Sequence, residues 1–95
     1  ISARLRVAYE TPPALVAQVP VLAEEAVRAG EGARFVSCLL AEIGAYALEF
    51  ELVYFIANAG DRQIPRTTDA VNRGIVARFG AAGIGFAYPT RRQMT

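Results

Sequence analysis

The chain lacks histidine, lysine and tryptophan, and it has a single cysteine, Cys38. One cysteine excludes an internal disulfide, and without histidine a structural zinc site is disfavoured. The cysteine–histidine and serine–histidine pairs that commonly activate a nucleophile are also missing. Because Cys38 lies in an apolar run, we expect an inert buried thiol. The sequence therefore predicts no catalytic, cofactor-binding or metal-binding residue.

Long apolar runs are also missing. No stretch reaches the roughly 18 to 20 apolar residues of a membrane-spanning helix, and no signal peptide opens the chain. Ten basic and nine acidic residues nearly balance, so no nucleic-acid partner is indicated. With 95 residues, 54% of them hydrophobic, we expect one domain over residues 1–95. Its start at Ile1, directly in a strand pattern, favours a domain excised from a larger protein.

The first third of the chain predicts a strand and an interrupted helix. Apolar residues alternate over Ala3–Tyr9, which indicates a half-buried strand. A helix follows over residues 12–29, with Thr11 as a plausible N-cap and a proline at the first helical position. Pro20 lacks an amide hydrogen and would clash with the preceding turn, so we expect a kink or break near residues 18–20.

The middle of the chain predicts a β-hairpin. Ala33–Ile43 is apolar on both sides, Gly44–Tyr46 supplies the turn, and Ala47–Ala57 alternates with period two. We expect one face of the latter strand to be buried. Its other face carries Glu49, Glu51, Val53 and Phe55.

The last third predicts a second helix that starts near Thr67 or Thr68, with Asp69 favouring its positive end and pairing with Arg73. Its expected core stripe is Val71, Ile75, Phe79 and Ala82. A separate stripe of small residues is Ala70, Gly74, Ala77 and Ala81. We expect this small-residue stripe to pack on the first helix, and a subunit contact is the alternative.

A glycine stop then leads into a short strand, Phe86–Tyr88, beside the first strand, after which Pro89 directs Arg91–Thr95 away. The order β-α-β-β-α-β predicts an α+β, ferredoxin-like fold, with two helices on one face of a four-stranded antiparallel sheet. In that arrangement the first and third strands are neighbours. We expect their arginines (Arg4 and Arg6) to pair with their glutamates (Glu49 and Glu51), and a neighbour to cover the apolar patch of Val53 and Phe55.

Three motifs occur in order along the chain: VAYETPP (residues 7–13), LEFELVYF (48–55) and RFGAAGIGFAYPT (78–90). They resemble the C-terminal cytoplasmic α/β domain of the small-conductance mechanosensitive ion channel (MscS) family, and the resemblance extends in the same element order over essentially all 95 residues. One departure is Gly44–Ala47, where the family often has Gly-Asp-Ser-Ser. The polar turn contacts of that motif are lost here, although Gly44 still permits a tight turn.

The resemblance implies a role without catalysis. In the family, seven copies of this domain form a cytoplasmic cage below a pore that opens under membrane tension and releases ions and solutes on hypo-osmotic shock. The full-length protein would then be a homoheptamer of the inner (plasma) membrane, with this domain in the cytoplasm. The membrane helices and the β domain that the resemblance implies lie outside these 95 residues.

Other functions stay open. The main alternative is a ferredoxin-like regulatory module that binds a small ligand, since this fold hosts many functions. RNA binding on the open sheet is disfavoured, because Glu49 and Glu51 would repel phosphate. The same two glutamates form a conceivable carboxylate pair, but exposed acidic residues on a sheet are usually solvated or ion-paired. Residues 80–85 (GAAGIG) follow a helix and precede a strand, the reverse of a phosphate-binding loop.

Overall fold

The structure, a computed structural model, describes residues 1–57, 60 and 62–87. Its helices and strands confirm the α+β class predicted from the sequence. In chain order they are β1 (Ser2–Val7), α1 (Pro13–Val16), α2 (Val19–Arg28), β2 (Ala33–Ile43), β3 (Leu48–Ile56) and α3 (Gln63–Ala82).

The three strands form one antiparallel sheet in the order β1-β3-β2. Residues 2–7 of β1 pair with residues 53–48 of β3 without interruption. The predicted hairpin of β2 and β3 is confirmed, but its register shifts twice, between Phe35 and Ser37 and between Leu40 and Glu42. Each shift adds a residue to β2 that has no partner in β3, which is the pattern of a β-bulge. Neither bulge is predicted by the sequence pattern.

The predicted fourth strand is reduced, in the described part of the chain, to a single antiparallel bridge between Val7 and Phe86. The backbone of Gly85 accepts a hydrogen bond from the Ala8 amide (3.0 Å), and the Ala87 amide donates to the Arg6 carbonyl (3.0 Å). Residues 88–95, which include the predicted strand end, Pro89 and the redirected tail, lie outside the described residues. The described sheet therefore has three strands, and the four-stranded ferredoxin-like sheet stays a prediction.

The predicted break in the first helix is confirmed. α1 ends at Val16 and α2 begins at Val19, so that Pro20 lies in the first turn of α2, where its missing amide hydrogen has no intrahelical partner to lose. The predicted N-cap is wrong. Pro12 occupies that position, and the Thr11 hydroxyl instead donates to the Ala8 carbonyl (2.6 Å), which fixes the turn between β1 and α1.

The predicted start of the second helix is also wrong, since α3 begins at Gln63. Pro65 falls in its first turn, and a proline there removes an amide that has no helical acceptor. Pro65 is therefore compatible with a helix that starts four residues before Thr67. Asp69 lies beyond the first turn, yet its predicted pair with Arg73 is present, with 2.8 Å between Oδ2 and Nε.

The end of α3 is a glycine stop, as predicted. Gly83 adopts a left-handed conformation with φ of 84°. Its amide donates to the Gly80 carbonyl (3.2 Å), and the Ile84 amide donates to the Phe79 carbonyl (2.9 Å). These two bonds form a Schellman motif. The motif turns the chain back, so that the ring of Phe86 stacks on that of Phe79 with centroids 5.3 Å apart.

The hydrophobic core lies between α2, α3 and one face of the sheet. Its fully buried large side chains are Tyr54, Phe50, Phe79, Leu52, Val7, Val19, Val27 and Val71. The core stripe of α3 is confirmed, since Val71, Ile75 and Phe79 are buried and Ala82 packs against them.

Most of the predicted small-residue stripe of α3 is exposed. A Cβ atom on Gly74 would lie 3.3 Å from the Cβ atom of Ala26 in α2, so this glycine permits a close helix contact. Ala70, Ala77 and Ala81 are exposed. The predicted packing on the first helix is therefore confirmed at Gly74.

Candidate interaction surface

The face of the sheet opposite the helices is uncovered in the described part of the chain, and it divides into a charged and an apolar region. Side chains alternate along a strand and cross-strand partners share a face. The register therefore places the outward residues of β1 beside those of β3. The charged region consists of Ser2, Arg4, Arg6, Glu49 and Glu51.

Glu49 is the centre of the charged region. Its Oε1 lies 3.6 Å from Nη1 of Arg4, its Oε2 lies 3.7 Å from Nε of Arg6, and its side chain is only 19% exposed. Glu51 accepts a hydrogen bond from the Ser2 hydroxyl instead (3.2 Å). The predicted pairing is thus confirmed for both arginines with Glu49, whereas Glu51 has a hydroxyl partner. These contacts favour the observed register of β1 on β3 more than they add stability.

The apolar region is larger than the sequence predicted. Of the predicted patch, Phe55 is half exposed as expected, whereas Val53 is partly buried. Leu39 of β2 joins them, because it lies opposite Glu51 and therefore on the same face. No sequence pattern indicated this, since β2 is apolar on both sides and its bulges decide which residues face out.

The far end of β2 is exposed on its other face as well. Leu40 and Ile43 lie opposite Phe50 and Leu48, on the helix side of the sheet. Even so, Leu40 is 43% and Ile43 is 69% exposed. The helices therefore cover these two side chains much less than they cover the residues of β3 on the same face. We call the exposed apolar residues of this strand the β2 patch: Val36, Leu39, Leu40 and Ile43.

An open cleft of about 620 Å³ lies at the opposite end of β2. Two cations and two aromatic rings line it: Arg28, Arg34, Phe35 and Phe55. Arg28 is held by Glu24, one turn earlier in α2, at 2.6 Å. Arg34 forms no ion pair with any described residue. No sequence pattern indicated either arginine as a site residue, because it is the loop between α2 and β2 that brings them together.

Thr67 and Cys38 are buried in the described core, and each side chain carries a polar or ionisable group: the hydroxyl of Thr67 and the thiol of Cys38. The Thr67 hydroxyl donates to the Glu31 carbonyl (3.0 Å) and accepts from Nε2 of Gln63 (2.8 Å). It therefore ties α3 to the loop before β2 rather than capping a helix. Burial raises the pKa of the Cys38 thiol to about 11, so the unreactive protonated form that the sequence predicted dominates at neutral pH.

No group of three or more potential metal ligands occurs among residues 1–57, 60 and 62–87. Within those same ranges, every helix is too short or too polar to cross a bilayer. Comparison with protein-family models and with curated proteins finds no match to this chain.

Proposed function

We propose that this chain is a cage-forming cytoplasmic domain of a mechanosensitive channel of the MscS type, the function that its three sequence motifs imply. In this proposal the domain has a four-stranded ferredoxin-like fold and supplies wall surface to a homoheptamer. The pore and the tension sensor belong to membrane-embedded parts of the full-length protein. The domain itself catalyses nothing and binds no cofactor.

The observation that carries the proposal is the path of the chain after α3. The last motif (residues 78–90) begins in the final turns of α3, and its glycine stop at Gly83 returns the chain to the free edge of β1. Phe86 bridges Val7 in an antiparallel sense, which is the position of the last strand in a β-α-β-β-α-β domain. The other two motifs also coincide with elements of the fold. Residues 7–13 connect β1 to α1, and residues 48–55 form most of the central strand β3.

The exposed apolar surface is consistent with a wall domain. A domain that works alone seldom leaves large side chains uncovered on several neighbouring positions. Here Phe55 and Leu39 are exposed on the open face of the sheet, and Ile43 is exposed at the end of the hairpin. Packing against neighbouring copies would remove this surface from water.

The full-length reading frame gives the first test. We expect membrane helices followed by a small β domain upstream of Ile1. A reading frame without them would contradict the proposal. Patch-clamp recording of the full-length protein should then show currents activated by membrane tension. A full-length protein that forms no tension-activated pore, although it reaches the membrane as a folded oligomer, would also contradict it.

A matched pair of variants tests the role of the chain after α3 in the assembly. Phe86→Ala removes the ring that stacks on Phe79 beside β1, and Val76→Ala shortens an exposed residue of α3. If the return of the chain to β1 organises the cage, Phe86→Ala lowers the yield of assembled channel whereas Val76→Ala does not. Equal yields of assembled channel from the two variants would show that this segment does not organise the cage.

The alternative, a module that binds a small ligand, is favoured by the cleft between Arg28 and Arg34. Its cations and aromatic rings suit a small anion with an apolar part. Calorimetric titration with benzoate and with inorganic phosphate tests this directly. Binding of benzoate that Arg34→Ala abolishes and Arg66→Ala preserves would support the module, and no heat with either probe would reject it for this class of ligand.

A further inference from the structure

β2 is an edge strand that nothing covers in the described part of the chain. It pairs with β3 on one side only, and it is 11 residues long. Edge strands of this length usually carry a device that prevents pairing with another chain, such as a lysine, a proline or a very short length. β2 contains no lysine and no proline and is not short; its two bulges and its charged residues Arg34 and Glu42 are the protective devices present. The segment between the bulges, Ser37–Leu40, pairs regularly with β3 and leaves its outer edge open, and the strand bears the whole β2 patch.

β2 also carries residues of opposite charge at equal distances on either side of Cys38: Arg34 lies four residues before it and Glu42 four residues after it. In an antiparallel pair of two β2 strands centred on Cys38, Arg34 of one copy lies opposite Glu42 of the other, and the converse holds by symmetry. Both residues are exposed and lie on the open face of the sheet, because their partners in β3 are Phe55 and Glu49. Cross-strand partners must share a face, and this register satisfies that requirement.

The charges of β2 select this register over its competitors. Within the chain, Glu42 lies opposite another carboxylate, Glu49, and Arg34 forms no ion pair with a described residue. Arg34 of a second copy would offset the repulsion between Glu42 and Glu49. Glu42 of that copy would in turn give Arg34 an ion-pair partner. A parallel, in-register pair would instead oppose each charge to its own kind, which is destabilising. Antiparallel registers shifted by two residues lose both ion pairs.

The same register covers the apolar residues that the chain leaves exposed. Leu40 would lie opposite Val36 of the second copy, and Ile43 would lie opposite Ala33. Leu39 would face Ser37. The far end of each β2, which its own helices do not cover, would thus be placed beside the better covered half of the other strand.

We propose that two copies of this chain associate through β2, antiparallel about Cys38, so that their two described three-stranded sheets become one continuous sheet. The inference does not rest on the channel function. Neighbours in a seven-fold ring are not related by a two-fold axis, so this contact would join free copies or copies from different rings.

Sedimentation equilibrium of the 95-residue chain, with charge-reversal variants, tests the proposal. The wild-type chain should show a monomer–dimer equilibrium. Arg34→Glu and Glu42→Arg should each raise the dimer dissociation constant by roughly tenfold, because each turns two attractive cross-strand pairs into repulsive ones. Arg66→Glu, which makes the same charge change on α3, is the control and should dimerise as the wild type does.

Mixing the two variants isolates the register. In an equimolar mixture, the glutamate introduced at position 34 of one chain faces the arginine introduced at position 42 of the other. The unchanged Glu42 of the first chain likewise faces the unchanged Arg34 of the second. Both pairs are attractive, so a heterodimer should form at concentrations where neither variant dimerises alone.

Three outcomes would overturn the proposal. The first is a wild-type chain that stays monomeric at every concentration. The second is a pair of single variants that dimerise like the wild type. The third is a mixture in which no heterodimer appears.

Discussion

Leu40 and Phe50 face each other across β2 and β3 on the same side of the sheet, yet Leu40 is 43% exposed and Phe50 only 2%. Both are large and apolar, and both lie in regular strands. They differ in what lies over them: β3 is the central strand beneath the helices, whereas the far end of β2 extends past them. Between two apolar side chains in neighbouring strands, burial therefore depends on which of them the helices cover.

The largest effect expected from this difference is between two leucines. Leu52 is fully buried in β3 and Leu39 is exposed in β2. Leu52→Ala should lower the free energy of unfolding by about 2–5 kcal/mol, because it leaves a cavity in the core. Leu39→Ala should change it by about 0.5 kcal/mol or less in the monomer. Urea unfolding followed by circular dichroism measures both, and equal losses would mean that Leu39 is covered.

Two glycines extend the comparison to the loop after α2, where Gly30 lies, and to the last turn of α3, where Gly80 lies. A Cβ atom on Gly30 would lie 2.9 Å from Cγ2 of Val71, whereas one on Gly80 would meet nothing within 4 Å. Gly30→Ala should therefore destabilise the fold by about 1–3 kcal/mol through overpacking. Gly80→Ala should stabilise it by about 0.5–1 kcal/mol, because alanine favours a helix interior. Opposite signs in thermal unfolding are the expected result, and a stabilising Gly30→Ala would contradict it.

Two neighbouring threonines of α3 test the polar contact within the covered region. Thr67 is buried and bonded to the Glu31 carbonyl, whereas Thr68 makes no such bond. Thr67→Val keeps the shape but removes the hydrogen bond, at a cost of about 0.5–1.5 kcal/mol. Thr68→Val should cost less. The rate of amide hydrogen exchange at the start of α3 should rise in Thr67→Val only. An unchanged rate there would show that the bond to the Glu31 carbonyl does not stabilise the start of α3.

These variants also mark how far the sequence predicts the structure. The alternation of β3 and the break before Pro20 follow from local chemistry, and both were predicted. The start of α3 was not, since Pro65 is compatible with a first helical turn as well as with a loop. The cleft between Arg28 and Arg34 could not be predicted either, because it needs the loop between α2 and β2 in place.

The smallest effect concerns the charged region of the open face. Glu49→Gln should cost about 0–1 kcal/mol, because exposed ion pairs are weak. That cost should fall in about 1 M NaCl, where the Debye length is about 3 Å. Glu51→Gln is the matched control, since its partner is the uncharged hydroxyl of Ser2, and its effect should not depend on salt. Equal salt dependence of the two variants would show that Glu51 also pairs with an arginine.

The sequence by itself determined the local features of this chain: the strand periods, the interrupted first helix and the glycine stop at Gly83. Each of these depends on a few adjacent residues, because backbone geometry and side-chain alternation are local properties. Only the tertiary structure decided that β2 bulges twice, that Gly74 lies close to α2 while the alanines of its stripe are exposed, and that Leu39 and Ile43 stay exposed. Those outcomes depend on where distant elements pack, and no local pattern encodes that.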